Sequence, residues 1–218
     1  MKKILTMAAV LAASSAVLAG GPATMSAAKS QNGLYVQAQL GYAQTPWKSI
    51  IGTEIKDQGV TIISFSYKNG NGGFAWGGDL GYSFGSHYFV EAGGFKLAST
   101  TMYIKSVFGN LNQTINTYLL YGALGLQSKL FDDHFTAFGK FGLGFQRMTI
   151  SKNTISKITK DSSHVGPMFA AGLRYDTDMG LNVSLQWARF AGVQHHDKGE
   201  YSTDPNVFTA GLGYWFAM

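Results

Sequence analysis

The sequence predicts an all-β chain, an eight-stranded antiparallel up-and-down transmembrane β-barrel. Three observations carry that expectation. Eight segments alternate with a period of two, the two faces of those segments differ in chemistry, and the connections between them alternate long and short. Composition sets the frame. Among 218 residues there are 28 Gly, 4 Pro and no Cys, with 14% aromatic and only 13% charged residues. So little charge with so many rings is not a disordered composition. The missing Cys excludes a disulfide scaffold, a Cys-ligated metal site and a Cys-borne lipid anchor.

The first element is an address. Residues 1–28 begin with Lys2 and Lys3, continue through an apolar stretch from Ile4 to Leu18, and offer small-residue cleavage points after Ala19 or Ala28. This is a bacterial secretory signal pattern, and its apolar run is short of the ~20 residues a spanning helix needs. Residues 29–218 are then the barrel domain. Removing Lys2 and Lys3 takes the formal charge from +5 to +3 (15 − 12), too mild a balance to point to nucleic acid.

The eight segments are residues 33–43, 74–84, 88–95, 117–127, 135–147, 167–176, 181–190 and 207–216. Each is close to the roughly ten residues of a tilted membrane-crossing strand. One face carries large apolar side chains, such as Leu34, Val36, Leu40 and Tyr42, then Phe141, Leu143 and Phe145, then Val183, Leu185 and Trp187. The other carries Gln37, Gln39, Asn182 and Ser184 together with Gly41, Gly77, Gly81, Gly93, Gly125, Gly142, Gly144, Gly172, Gly211 and Gly213. Glycine weakens a strand, so its bias to one face needs a cause, and the crowded interior of a narrow barrel supplies one. The bulky face is too large for such an interior and points outward, toward lipid. Tyr42, Phe74, Tyr82, Phe84, Tyr88, Tyr175, Trp187 and Tyr214 near the strand ends fit interfacial girdles.

The short connections are built on Gly85-Ser86-His87, Asp132-Asp133 and Thr177-Asp178-Met179-Gly180, all turn formers. The long ones alternate with them, as extracellular loops alternate with periplasmic turns in outer-membrane barrels. In the first long connection the β-prone run Val60-Thr61-Ile62-Ile63-Ser64-Phe65 precedes a Gly/Asn turn. It reads as an extracellular hairpin extending the barrel, with two added strands as the alternative, and Ile62, Ile63 and Phe65 as buried in the loop rather than adhesive.

On the runs Gly33–Ala43, Tyr88–Phe95, Phe169–Asp176 and Phe208–Phe216 the chain resembles the OmpA-like and opacity-protein barrels of Gram-negative outer membranes. The resemblance implies an integral protein of the cell outer membrane, monomeric, delivered by periplasmic chaperones and the barrel-assembly machinery. It also implies envelope integrity and adhesion through long loops, with host-surface ligands among the partners. Members that hold peptidoglycan carry a further periplasmic domain after the barrel. The family usually ends on an aromatic residue, whereas here Phe216 is followed by Ala217 and Met218.

Candidate sites follow from parity. Asp79, Glu91, Lys140 and Arg174 project to the glycine-rich face and are expected to pair inside the barrel, because isolated buried charges are costly. Such a core closes the interior; a small or gated channel is the alternative. Lys96, Arg147 and Arg189 end upward-running strands on the outward parity and are candidates for lipopolysaccharide phosphates. Lys152, Lys157 and Lys160 in the third long loop are candidates for an anionic surface ligand. His195, His196 and Asp197 make a poor metal site, and no metal or cofactor is expected. Barrel enzymes that modify lipid A use a His-x-Ser pair, which this chain lacks; His134-Phe135-Thr136 comes nearest, at the wrong end. His195, Asp197 and Asp204 imitate part of an omptin-type protease cluster without fixed geometry. The expectation is a non-enzymatic protein, with a lipid-modifying enzyme as the least favoured reading.

Overall fold

The computed structural model describes residues 32–46, 54–57, 60–106, 109–130, 133–151, 162–192, 194–195, 200–201 and 203–217. The proposed leader, Lys152, Lys157, Lys160, His196 and Asp197 lie outside them. Thirteen strands follow in chain order: β1 (Gly33–Gln44), β2 (Glu54–Asp57), β3 (Val60–Lys68), β4 (Gly73–Phe84), β5 (Tyr88–Leu97), β6 (Thr100–Ser106), β7 (Gly109–Lys129), β8 (Phe135–Ser151), β9 (Ser162–Asp176), β10 (Leu181–Phe190), β11 (Gln194–His195), β12 (Glu200–Tyr201) and β13 (Asn206–Ala217). Eight of these, β1, β4, β5, β7, β8, β9, β10 and β13, form one closed antiparallel barrel. First and last strands join from Gly33↔Ala217 to Gln44↔Asn206, and β7 joins β8 from Thr114↔Ser151 to Lys129↔Thr136. Closure pairs the backbone of every barrel strand on both sides, which hydrocarbon requires.

All eight expected segments are barrel strands. The short turns hold the predicted glycines in the left-handed region, Gly85 at φ 70° and Gly180 at φ 82°. The difference lies at the other end, where several strands run on past the rim. β7 has 21 residues and β8 has 17, and β2, β3 and β6 complete a sheet in the order β2-β3-β6-β7-β8. The run 60–65 therefore belongs to an extension and adds nothing to the closed ring. β3 and β4 are almost one long strand, interrupted at residues 69–72, where Asn69 takes φ 60° and its carbonyl accepts from Thr100 Oγ1 at 3.2 Å. Phe65 is buried against Met102 and Ile104, as expected; the side chains of Ile62 and Ile63 lie outside the described residues.

The outward wall is apolar, with Leu40, Leu120, Leu124, Leu143, Leu185 and Leu212 each 57–67% exposed. The assignment of faces holds, yet the interior is less polar than parity alone suggests. Seven inward rings, Tyr35, Phe89, Phe95, Tyr121, Phe138, Phe190 and Trp215, are buried inside. The interior glycines are what make room for them. Tyr35 pairs directly across from Gly81, Phe89 from Gly125, Phe138 from Gly172, Phe95 from Gly77 and Tyr121 from Gly93. A Cβ built on Gly81 would stand 2.2 Å from the Tyr35 ring, one on Gly125 2.0 Å from the Phe89 ring, and one on Gly144 2.5 Å from the Phe190 ring. Crowding is thus the cause of the glycine bias, with a specific ring as its source at these positions.

Candidate functional site

The interior is layered. At the short-turn end Tyr35, Phe89, Phe138 and Trp215 pack together. Toward the long-loop end Phe95, Leu119, Tyr121, Met168 and Phe190 fill the bore with small residues between them. The four predicted charges lie within this stack, all buried, but they do not pair as one set. Lys140 Nζ donates to Glu91 Oε1 at 2.5 Å. Glu91 also accepts from the hydroxyls of Tyr35 at 2.5 Å and Tyr121 at 2.7 Å. Arg174 instead pairs with Asp176, Nε to Oδ1 at 2.8 Å, and donates to Gln127 Oε1 at 3.0 Å. Its guanidinium lies 4.8 Å from the Trp215 ring centroid, and Trp215 Nε1 donates to the same Asp176 oxygen at 3.0 Å.

Asp79 joins neither ion pair, a correction to the expected four-way pairing. It accepts hydrogen bonds from Gln39 Nε2 and, at 3.3 Å, from Tyr121, while its Oδ1 has no hydrogen-bond partner. The reason is geometric. Asp176 stands two residues from Arg174 on the same inward face, so the guanidinium is satisfied within its own strand. Sequence reasoning placed Asp176 at the end of its strand and did not count it among the interior charges, although its parity matches that of Arg174. A small cavity lined by Tyr35, Gln37, Glu91, Lys140, Arg174 and Ser184 measures about 10 Å³. That is about the smallest space that holds one water.

At the rim of the long loops, cross-strand register builds a row that single strands do not reveal. Trp76 faces Lys96, Lys96 faces Tyr118, and Tyr118 faces Arg147 on the outward surface. Lys96 Nζ lies 5.6 Å from the Tyr118 ring centroid, and Arg147 is exposed. With strands ~4.8 Å apart, the two cations flank one tyrosine about 10 Å from each other. Arg189 stands apart from this row. It faces Phe169 and Asn206, and its nearest charge is Asp204 at 3.5 Å.

The outer membrane protein beta-barrel domain model matches residues 6–216. The chain belongs to that outer-membrane β-barrel family. It is an integral protein of the Gram-negative outer membrane, so the long-loop end is extracellular and the short-turn end periplasmic. Among solved structures, OprG of Pseudomonas aeruginosa aligns with a TM-score of 0.54 at 15% identity, over 86% of this chain and 98% of that one. The N-terminal barrel domain of Pseudomonas aeruginosa OprF aligns at 0.53 and 12%, over 86% and 100%. Neisserial surface protein A aligns at 0.52 and 13%, over 84% and 97%. At such identities these barrels share the fold alone. No curated protein is similar enough in sequence to count as a relative.

On this outer-membrane barrel the remaining candidates separate. His134 sits at the periplasmic end, its Nδ1 2.8 Å from the Asp176 carbonyl oxygen. Asp204, at the extracellular end, accepts the Gly192 amide at 2.5 Å besides holding Arg189. His195 forms part of the β11–β12 ladder opposite Glu200, and its side chain lies outside the described residues. Among the described residues no three His, Cys, Asp or Glu converge as metal ligands.

Proposed function

We propose that this barrel is a non-catalytic anchor. It seals its own bore, stiffens the envelope through contacts with lipopolysaccharide, and presents its extracellular strands for surface binding and adhesion. The observation that carries the reading is the pair of ring layers enclosing the Glu91–Lys140 pair. An interior filled at both levels offers ions no wet path, so what the protein does happens on its outside. There, the Lys96–Tyr118–Arg147 row supports phosphate contact, because two cations flank an amphipathic ring at headgroup height. From Phe135 to Arg147, twelve residues at ~3.3 Å and a tilt of roughly 45° climb about 28 Å, the span of the hydrocarbon.

Planar-bilayer recording tests the seal. The intact barrel is expected to give no steps above leak, and the Phe95→Ala/Tyr121→Ala/Phe190→Ala variant to conduct. Regular unitary steps from the unmodified protein would favour a channel instead. Mass spectrometry of lipid A from cells expressing the protein tests the non-catalytic part, and a new acylation or phosphate state would overturn it. Lys96→Ala/Arg147→Ala is expected to weaken binding to isolated lipid A. Barrels with exchanged extracellular segments, scored for host-cell attachment, test adhesion.

A further inference from the structure

Above the rim row, β3, β6, β7 and β8 form a sheet whose inner face is buried through Phe65, Met102, Ile104, Ile115, Met148 and Ile150. Along β7 and β8 its outer face continues the lipid-facing wall upward without a break, and β3 and β6 pair beside them beyond the interruptions at 69–72 and 98–99. Lys68 faces Thr101, Tyr103 faces Asn112 and Lys105 faces Asn110, and Lys68, Tyr103, Lys105 and Asn112 are exposed. On β3, β6, β7 and β8 the described residues of this face include no Asp or Glu; at its edge, β2 brings Glu54 opposite Ser64, in the row that holds Lys105.

Register sets the heights. Thr101 faces Thr114 and Lys105 faces Asn110, four and eight residues above Tyr118. At ~3.3 Å per residue and a tilt of roughly 45°, the level of Lys68 is about 9 Å above the rim and that of Lys105 about 19 Å. Positive charge therefore recurs at three levels, with Lys96 and Arg147 at the first. Asn and Thr side chains at these levels donate and accept, and Tyr103 offers a ring face.

We propose that this face docks the phosphorylated sugar headgroup of lipopolysaccharide molecules in the surrounding leaflet, which deepens the rim contact proposed above and rests on it. Two arguments select that occupant. The face is continuous with the wall that touches lipid tails, so the groups standing directly above those tails lie against it. Its chemistry is complementary: cationic at successive heights through Lys96 and Arg147, Lys68 and Lys105, with Glu54 only at the β2 edge, as an anionic headgroup with phosphates on both its lipid and its sugars requires. A soluble anionic polysaccharide would need the charge but not the continuity.

The test uses the full-length barrel folded in nonionic detergent. Binding is measured to four probes: lipopolysaccharide with a phosphorylated core, isolated lipid A, the same core dephosphorylated, and heparin. The variant is Lys68→Gln/Lys105→Gln, both exposed positions, with heat-modifiable gel migration confirming closure. A cation near an anionic lipid surface contributes about fivefold, so the double variant should lose on the order of 25-fold for the core-bearing form at low salt. It should keep its affinity for lipid A, and dephosphorylating the core should cost the unmodified barrel a similar factor. An unchanged variant, or indifference of the unmodified barrel to core phosphate, overturns the proposal while leaving the rim contact standing. Failure to bind lipid A and lipopolysaccharide alike removes the rim contact as well. Heparin bound more tightly than lipopolysaccharide, with the same dependence on Lys68 and Lys105, reassigns the face to a soluble polyanion and also overturns it.

Discussion

Removing one partner of the Glu91–Lys140 pair should do more damage than removing both. The two side chains are 2% exposed and 2.5 Å apart. At an effective dielectric of ~20 their attraction is roughly 7 kcal/mol, most of which offsets the desolvation of two ions. Glu91→Gln leaves the Lys140 ammonium buried without its counter-charge, a change that costs about 3–5 kcal/mol. Lys140→Met leaves a carboxylate that still accepts from Tyr35 and Tyr121, so its cost should fall at the lower end of that range. The double variant Glu91→Gln/Lys140→Met restores neutrality and should recover at least half of the loss. The assay is reversible urea unfolding of barrels refolded into phosphatidylcholine vesicles, read by tryptophan fluorescence and gel migration. Equal, small effects of both single variants, or a coupling energy below ~0.5 kcal/mol across the cycle, would refute the claim that these charges form one buried unit.

Gly125→Val should abolish folding, because a Cβ there stands only 2.0 Å from the Phe89 ring, and Phe89→Ala should rescue it; gel-monitored refolding without that rescue pattern would count against the ring–glycine pairing. Asp79→Asn should be neutral or stabilising by up to ~1 kcal/mol, since the carboxylate has no cation partner and one unpartnered oxygen; a loss above ~1 kcal/mol in the urea assay contradicts this. In the extracellular sheet, burial pushes the Tyr67 hydroxyl up to about 12. Its contribution to stability is then complete below pH 10 and lost as pH rises through about 12. Absorbance titration of the unmodified protein minus Tyr67→Phe should show that late midpoint; a difference centred near 10 would contradict it.

Period-two alternation made the eight barrel strands legible because lipid and a narrow bore impose opposite demands on alternate residues. The same parity that placed Asp79, Glu91, Lys140 and Arg174 inside also places Tyr35, Phe89, Phe138 and Trp215 there. Those rings were hidden by the argument that bulk belongs outside, which treats residues singly. What fits in a bore is decided by pairs across strands, and pairing depends on register, which one sequence does not print. Arg174, by contrast, finds Asp176 two residues along its own strand, a pairing that parity alone permits. Past the rim the legible signal fades for a different reason. Asn110, Asn112 and Thr114 alternate with apolar residues only weakly, so the upper half of β7 reads as loop although it is a continuous strand. Its strand state is set by its β6 and β8 neighbours rather than by its own composition.

The ring–glycine pairs also explain how so glycine-rich a wall remains ordered. A glycine in a strand forfeits side-chain packing and carries extra chain entropy. At the ring-paired glycines the loss is offset locally, because the facing ring lies over the bare backbone and buries it, as Tyr35 does at Gly81 and Phe138 at Gly172. Since each of these paired rings needs its own glycine, a one-residue slip at β1–β4 would set Tyr35 against Leu80 or Tyr82, which point the other way, and return Gly81 to an uncovered state. The pairs therefore fix register as well as fill space. A barrel whose register is pinned from inside does not depend on its extracellular strands for alignment. Those strands are then free to be polar and cationic along the face that continues into the headgroups.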